Sequence, residues 1–371
     1  MAARLAKLTL RGFKTFHDLS DFEPGLLTVL IGPNGAGKSN FISFFRLLSW
    51  SLAPPGNLQT HVGQLGGASA LLHDGPAKTR EIEAALTVET ESGQNDYEFR
   101  LSYAAGDALL YVEERYRFAP TDLATEAGWT ELEPGHREAK LIHEAEWGKP
   151  TARTILALLR NLRVFQFHNT SWTARIRTKW SEDDGRWLKE DAANLGPFLY
   201  RLRNDEPRYY RRIVQTVRLI LPFFADFELE PEHGKILLRW LERDSDVVFS
   251  AAQAADGMLR AMALVALLLQ PERDLPNVLI LDEPELGLHP HAMNVIAGLV
   301  RSASTSVQVI LATQSVALLN YFEPEEVVVV DRVGRESKFH RLDTASLGEW
   351  LEEYSLAELW EKNVLGGRPS R

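Results

Sequence analysis

Nine residues, GPNGAGKSN at positions 32–40, constrain this chain more than any other stretch. The first eight, Gly32-Pro33-Asn34-Gly35-Ala36-Gly37-Lys38-Ser39, satisfy G-x-x-x-x-G-K-[ST] at every fixed position. The pattern works in one structural context. A strand must deliver the chain to the loop, and a helix must leave it with its first N–H groups turned toward an anion. Leu26 to Ile31 supplies an apolar strand, and Asn40 to Leu52 reads as the helix, stopped by Pro54, Pro55 and Gly56. In that setting the glycines let backbone N–H groups wrap a β-phosphate. Lys38 would bridge the β- and γ-phosphates, and the Ser39 hydroxyl would be a ligand for Mg²⁺. The cofactors expected are therefore ATP and Mg²⁺, with Gly32 to Ser39 and the adjoining Asn40 around the nucleotide.

The second constraint is VLILDEPELGLHP, residues 278–290. Four apolar residues run into Asp282 and Glu283, and a proline and a glycine then stop any regular element. Adjacent carboxylates at the end of a buried strand repel unless a cation sits beside them, and Mg²⁺ would supply that charge. Asp282 is expected to hold the metal, through a water, and Glu283 to orient or deprotonate the water that attacks the γ-phosphate.

Composition narrows the classes further. With no cysteine among 371 residues, disulfides and Cys-rich zinc sites are excluded, and a cytoplasmic location is expected. The start, MAARLAKLTLRGF, lacks the apolar core of a signal peptide. The longest apolar run, Ala261 to Leu269, is far short of the ~20 residues a membrane span needs, so no membrane partner is expected. The net charge of −10 argues against a generally basic nucleic-acid binder. Residues 151–218, however, hold 14 Lys and Arg against 7 Asp and Glu.

Along the chain, Arg4 to Phe16 alternates as a strand, and residues 57–80 are Gly-, Ser- and Ala-rich and read as a loop. Glu81 to Phe118 has period two and predicts an antiparallel meander. Helices are predicted at Arg153 to Arg163, twice within Asn194 to Leu221, at Met258 to Gln270, at His291 to Ser302 and at Ser346 to Trp360. Strands are predicted at Val164 to Phe167, Lys235 to Trp240, Val247 to Phe249, Val278 to Leu281, Val307 to Leu311 and Val327 to Val330. This pattern predicts an α/β fold: a mixed core sheet at both ends of the sequence, with an antiparallel β meander and a helical lobe inserted. The expected division is 1–165 for a nucleotide-binding lobe, 166–257 for the helical lobe, 258–345 for the rest of the core and 346–371 for a terminal helix and tail.

GPNGAGKSN together with LILDEPELGLHP resembles the ATP-binding-cassette (ABC) class of P-loop ATPases. Within it, with LTLRGFKTF near the start, the chain resembles the SMC/RecF/OLD (overcoming lysogenization defect) branch, and its stand-alone AAA-family ATPases most of all. The resemblance implies ATP hydrolysis in a head-to-tail homodimer, each phosphate loop completed by the partner's signature loop. Here that loop is Ala254-Ala255-Asp256-Gly257-Met258, which has Ala255 where the family has serine and Asp256 where it has glycine. Asp256 is expected to cap the following helix, leaving the Gly257 backbone to meet the nucleotide. The resemblance also implies a γ-phosphate contact at Gln314, where many relatives have histidine. Gln314 can donate an amide hydrogen but has no titratable proton. His289, in the D-loop 286–289, would face the opposite subunit, and Lys14 matches a basic residue near the phosphates. The Q-loop sensor is expected at His168 or Asn169 rather than at Gln166, which is assigned to a strand. Between Ser39 and Asp256 no sustained heptads occur, so a compact head without a coiled-coil arm is expected, and no nuclease constellation follows residue 283.

The basic stretch interleaves Arg175, Arg177, Lys179, Arg186, Lys189, Arg201, Arg203, Arg208, Arg211 and Arg212 with Trp172, Trp180, Trp187, Tyr200, Tyr209 and Tyr210. Such a segment either binds DNA or RNA or is a helical lobe whose arginines pair with acids and whose aromatics pack inward. Two functions follow. One is an ATP-driven dimer switch coupled to DNA or a partner protein, in repair or phage defence. The other is an ATP-binding regulatory module with negligible turnover, controlling a separately encoded effector such as a nuclease.

Overall fold

The computed structural model describes residues 3–53, 57–121, 128–348 and 350–366. Strand Leu27–Ile31 is buried at every position. A strand covered on both faces belongs inside a parallel sheet. It pairs in parallel with Gln308–Thr313 on one side and Val327–Val333 on the other. Val278–Asp282 and then Leu162–Phe165 extend the sheet in parallel, and Glu336–Arg341 closes the far edge antiparallel. The second six-stranded sheet is antiparallel: Phe16–Phe22, Ala3–Phe13, Glu81–Thr90, Gly93–Ala104, Ala108–Pro120 and Thr130–Glu131, in that spatial order.

Helix Lys38–Ser51 lies between the sheets. Its Phe41, Phe44, Phe45 and Leu48 share one core with Leu8, Leu10, Leu86 and Tyr97 of the antiparallel sheet and with Leu30, Ile280, Ile310 and Val328 of the parallel one. Because side chains alternate across a strand, Val29, Ile31, Leu279, Leu281, Val309 and Leu311 face the opposite way. They pack in a second core with helices Leu195–Asp205, Pro207–Ile220, Asp256–Leu268 and Pro290–Ser304. Helix Asp256–Leu268 is buried nearly all round, which is why its sequence is apolar on every face. The two sheets are tied by Gln308, which is fully buried. Its Oε1 accepts the N–H of Leu5 at 2.8 Å, and its amide donates to the carbonyls of Leu5, Pro24 and Gly25.

Several elements differ from expectation, each for a physical reason. The first predicted strand is two, because the chain reverses at Lys14, whose φ is +49°. Within 57–80 there is a helix, Leu58–Gln64, and a 3-10 turn, Ala68–Ala70. The Glu138 carboxylate accepts the first N–H groups of that helix, at Leu58 and Gln59, from a distant part of the chain. The predicted 235–240 strand is broken: Lys235–Ile236 pairs with Trp180–Ser181, and Arg239–Glu242 pairs with Phe224–Glu228 and Val248–Ser250. The long C-terminal helix is three short ones, Thr344–Leu347, Trp350–Glu353 and Leu356–Glu361. Gly348 at positive φ ends the first, and a Ser355–Glu358 capping box starts the last. Among the described residues no helix is long and apolar enough to cross a membrane.

Candidate functional site

The phosphate loop leaves the Leu27–Ile31 strand and enters helix Lys38–Ser51. Two of its glycines are required by the protein's own packing as well as by any ligand. A Cβ on Gly32 would lie 2.2 Å from the Val330 carbonyl, and one on Gly37 would lie 2.0 Å from Ser337 Oγ. Ser337 Oγ donates to the Ala36 carbonyl at 2.6 Å and lies 2.7 Å from the Thr15 hydroxyl, whose oxygen accepts from Asn40 Nδ2 at 2.9 Å. The N–H groups of Asn34, Gly35 and Gly37 donate to no protein acceptor among the described residues. Lys38 is 4% exposed, and its Nζ donates to the carbonyls of Gly32 at 2.5 Å and Pro33 at 3.1 Å. Burial pulls the Lys38 amine below its ordinary range, while the carboxylates of Glu283, Asp282 and Glu285 work the other way. Free N–H groups beside a buried ammonium form a cradle suited to phosphate oxygens. Ser39 is exposed at its edge. Lys14 donates instead to Ser43 Oγ, one turn further along the helix, at 2.7 Å.

Strand Val278–Asp282 ends two strands away, and the Gln308–Thr313 strand runs between them. Asp282 is buried, and that burial raises its pKa against the pull of His168 and Arg46. Gln166 Nε2 donates to Asp282 Oδ2 at 2.8 Å, and the other side of the same amide accepts from Arg46 of the phosphate-loop helix. His168 Nε2 lies 3.0 Å from the Asp282 carbonyl and 3.9 Å from Glu283 Oε2. Glu283 has φ +44°, an uncommon conformation for a non-glycine residue, held by its N–H bond to Ala312 at 2.8 Å. Its carboxylate accepts the amide of Gln314. Glu285 is largely buried and accepts the Thr313 hydroxyl and the Gln314 N–H, so it orients the segment that carries Gln314.

Of the residues considered as sensors, the contacts bring Gln166 and His168 to Asp282. The strand of residues 162–165 ends before Gln166, freeing it to reach Asp282, and His168 joins it. Asn169 is exposed and, among the described residues, accepts only the Ser171 hydroxyl. For Mg²⁺, the oxygens at hand are the Ser39 hydroxyl and the Asp282 carboxylate. Among the described residues no group of three or more His, Cys, Asp or Glu could hold a metal alone. A site with one or two protein oxygens, completed by phosphates and water, fits Mg²⁺.

Residues 254–258 occupy the rim beside this site. Asp256 does not cap the helix: Ala255 is the N-cap, and Asp256 is the first helical residue. Its carboxylate accepts from Arg177 Nη2 at 2.9 Å, an attraction that outcompetes the helix N–H groups. The same guanidinium donates to the carbonyls of Thr170, Ser171, Ala251 and Ala254. Arg260 makes a second clamp, to the carbonyls of Phe167, His168 and Leu286 and to Thr170 Oγ1. Gly257 is packed on the Gly287 carbonyl so closely that a Cβ would lie 2.3 Å from it. His289 is exposed and caps helix Pro290–Ser304 by accepting the His291 N–H at 3.3 Å. Arg46, Arg260 and Glu285 were not singled out from sequence, and Arg177 was named only as part of the basic stretch. Only Glu285, a third carboxylate within DEPE, carried a local signal.

Much of the basic stretch is tied internally. Arg175 pairs with Asp191, Lys179 with Glu232, Lys189 with Asp184, Arg201 with Asp274 and Arg203 with Glu230. Arg208, Arg211 and Arg212 are exposed and pair with no acid among the described residues.

Residues 27–320 match the family described as "AAA domain, putative AbiEii toxin, Type IV TA system". The chain belongs to this AAA-domain family. A 45-residue stretch is 51% identical to the chromosome partition protein Smc of Rhodopseudomonas palustris, and a 44-residue stretch is 54% identical to that of Thauera aminoaromatica. Each stretch is 12% of this chain and spans 4% of the relative's length. Three-dimensional similarity is far broader. An Smc head bound to the C-winged helix domain of ScpA superimposes with a TM-score of 0.59 at 16% identity, over 94% of this chain and 99% of that one. The Pyrococcus furiosus Smc head bound to the C-terminal domain of ScpA gives 0.58 at 14% identity, over 95% and 99%. The Thermotoga maritima SMC head gives 0.50 at 15%, over 92% and 99%. This AAA-domain protein thus has the fold of an ABC-type P-loop ATPase of the SMC/RecF branch.

Proposed function

We propose that the protein hydrolyses ATP with Glu283 as general base, and that two copies pair head to tail around the nucleotides. The observation that carries this is the placement of Glu283. It follows Asp282 on a constrained backbone, is held by Gln314, and acts electrostatically on the buried Lys38 of the phosphate loop. Lys38 and the loop N–H groups bind the β- and γ-phosphates. Ser39 and Asp282 would hold Mg²⁺, which would supply positive charge to the phosphate oxygens. A water held by Glu283 attacks the γ-phosphorus and gives its proton to that carboxylate. The bond to the β–γ bridging oxygen breaks, and ADP leaves with the electron pair. Gln166 and His168, fastened to Asp282, report the filled site to the helical lobe through Arg260. Residues 254–258 and His289 on the rim would complete the partner's site. Closing and opening of the pair would act on DNA or on a partner protein, in repair or phage defence.

The test is Glu283→Gln with ATP and Mg²⁺. Turnover is expected to fall by roughly 10²-fold or more, as for loss of a general base. The variant should also accumulate as a dimer in light scattering. A variant that stays monomeric would remove the pairing. The second function is an ATP-binding regulatory module that controls an effector. Ala255, in the serine's place, and Gln314, which cannot exchange a proton, favour it. So does the family description, which names a putative toxin of a Type IV TA system. Equal, negligible turnover by wild type and Glu283→Gln would decide for the module.

A further inference from the structure

Trp172 is 88% exposed, and no ring or cation packs on it among the described residues. Its loop is nevertheless tightly held. Arg177 donates to the carbonyls of Thr170 and Ser171, and Arg260 donates to those of Phe167 and His168. The backbone is closed further by Thr170 N–H to His168 and Ala174 N–H to Ser171. A large aromatic presented on a preorganised loop is the usual make-up of a binding hot spot, because little ordering remains to oppose association. The position is informative too. One guanidinium, that of Arg177, touches both Ser171 and residues 251, 254 and 256, so Trp172 moves with the signature segment. Leu286, 42% exposed, joins the same rim through Arg260.

The phosphate-loop side offers a complementary surface. Arg332 is exposed, donates to the Gly35 carbonyl at 3.3 Å and has no carboxylate partner among the described residues. Gly35 leaves open space in front of it, since an added Cβ would meet only the Arg332 guanidinium, at 4.0 Å. Head-to-tail pairing would put residues 254–258 of one copy over the phosphate loop of the other and bring the exposed indole toward a guanidinium that has no acid partner among the described residues. Such faces attract through the negative face of the ring.

We propose that, in the nucleotide-bound pair, Trp172 of each copy packs on the phosphate-loop shoulder of the other, against Arg332, so that each nucleotide site is walled by an aromatic residue from the second copy. This rests on the head-to-tail pairing proposed above.

The absence of cysteine allows a direct test. In the Glu283→Gln background, one protein carries Trp172→Cys and another Arg332→Cys. The two are mixed with a short bismaleimide, with and without ATP and Mg²⁺. A cross-linked dimer is expected only in the mixture and only with nucleotide. In parallel, Trp172→Ala should weaken nucleotide-dependent pairing about tenfold or more while leaving thermal unfolding of the nucleotide-free protein unchanged, and Trp172→Phe should restore most of the pairing. If Glu283→Gln dimerises but the mixture does not cross-link, the contact is wrong while the pairing stands. If Glu283→Gln never dimerises, the pairing itself fails and the contact with it. Quenching of Trp172 fluorescence by single-stranded DNA, with no cross-link, would overturn the contact in favour of base stacking.

Discussion

Glu114 has no exposed surface, yet it is a carboxylate. Tyr97 Oη donates to it at 2.8 Å, and the N–H groups of Lys140 and Leu141 donate at 2.9 and 3.0 Å. Those donors pull its pKa down, but burial is the larger influence and leaves it raised. Its contribution to stability is therefore full below the ordinary value of 4.5 and is lost as pH rises through the folded-state value, because the native chain resists ionisation there more than the unfolded chain does. Glu114→Gln removes that dependence. The difference in unfolding free energy between variant and wild type, from urea titrations, is expected to move in the variant's favour as pH rises from 4.5, by about 1.4 kcal/mol for each unit of raised pKa. A flat difference across that range would mean that Glu114 ionises as it does in the unfolded chain. Nothing local marks Glu114, which sits in its strand between the half-buried Glu113 and Arg115; its backbone donors come from the start of helix Leu141–Glu146, more than 25 residues away.

At the scale of elements, the strand, phosphate loop and helix of residues 27–51 form one unit, and Gly37 is its tightest point. Alanine there would meet both a φ of +123° and Ser337 Oγ. Gly37→Ala is expected to lower stability by roughly 1–3 kcal/mol and to abolish binding of a fluorescent ATP analogue. Adding Ser337→Ala should return part of the stability, because it removes the 2.0 Å contact with the hydroxyl but neither the 2.8 Å approach to the Cβ of residue 337 nor the backbone strain. Thermal unfolding of the three proteins checks this, and no recovery in the double variant would show that strain alone matters. This unit was legible because its signals are local: an apolar run, fixed glycines, then helical spacing. The meander and the Val278–Asp282 strand were legible for the same reason. The contacts that arm the site were not. Gln166 acts on Asp282 only because the 162–165 strand stops one residue before it, and strand ends are poorly marked in sequence. Asp256 looked like a helix cap, and the rival that claims it, Arg177, is 79 residues away. Leu58–Gln64 is supported by Glu138, equally remote.

For the molecule as a whole, helix Asp256–Leu268 separates two working edges. Its first turn meets Gly287 beside the nucleotide site. Its last residues border a recess with Arg208, Arg212, Gln270, Ser302 and Ser306. Thirteen helical residues span about 20 Å, so Arg208 and Arg212 of helix Pro207–Ile220, in the recess at its last residues, lie about that far from the first turn that meets Gly287. With a net charge of −10, most of the surface repels a polyanion, but at physiological salt that repulsion is screened beyond about 8 Å. Three adjacent arginines without acid partners can therefore attract phosphates locally. Duplex DNA is expected to bind at low salt. Changing Arg208, Arg211 and Arg212 to Glu should abolish it, whereas changing them to Gln should lower the slope of log affinity against log salt by roughly 3, about one for each phosphate that is no longer neutralised. Because the edges are separate, Trp172→Ala should leave DNA affinity without nucleotide unchanged. Fluorescence anisotropy over a salt series measures each arm. An unchanged slope in the Gln variant would mean that the arginines serve solubility and that the protein's macromolecular partner, like its nucleotide, is engaged from the other edge.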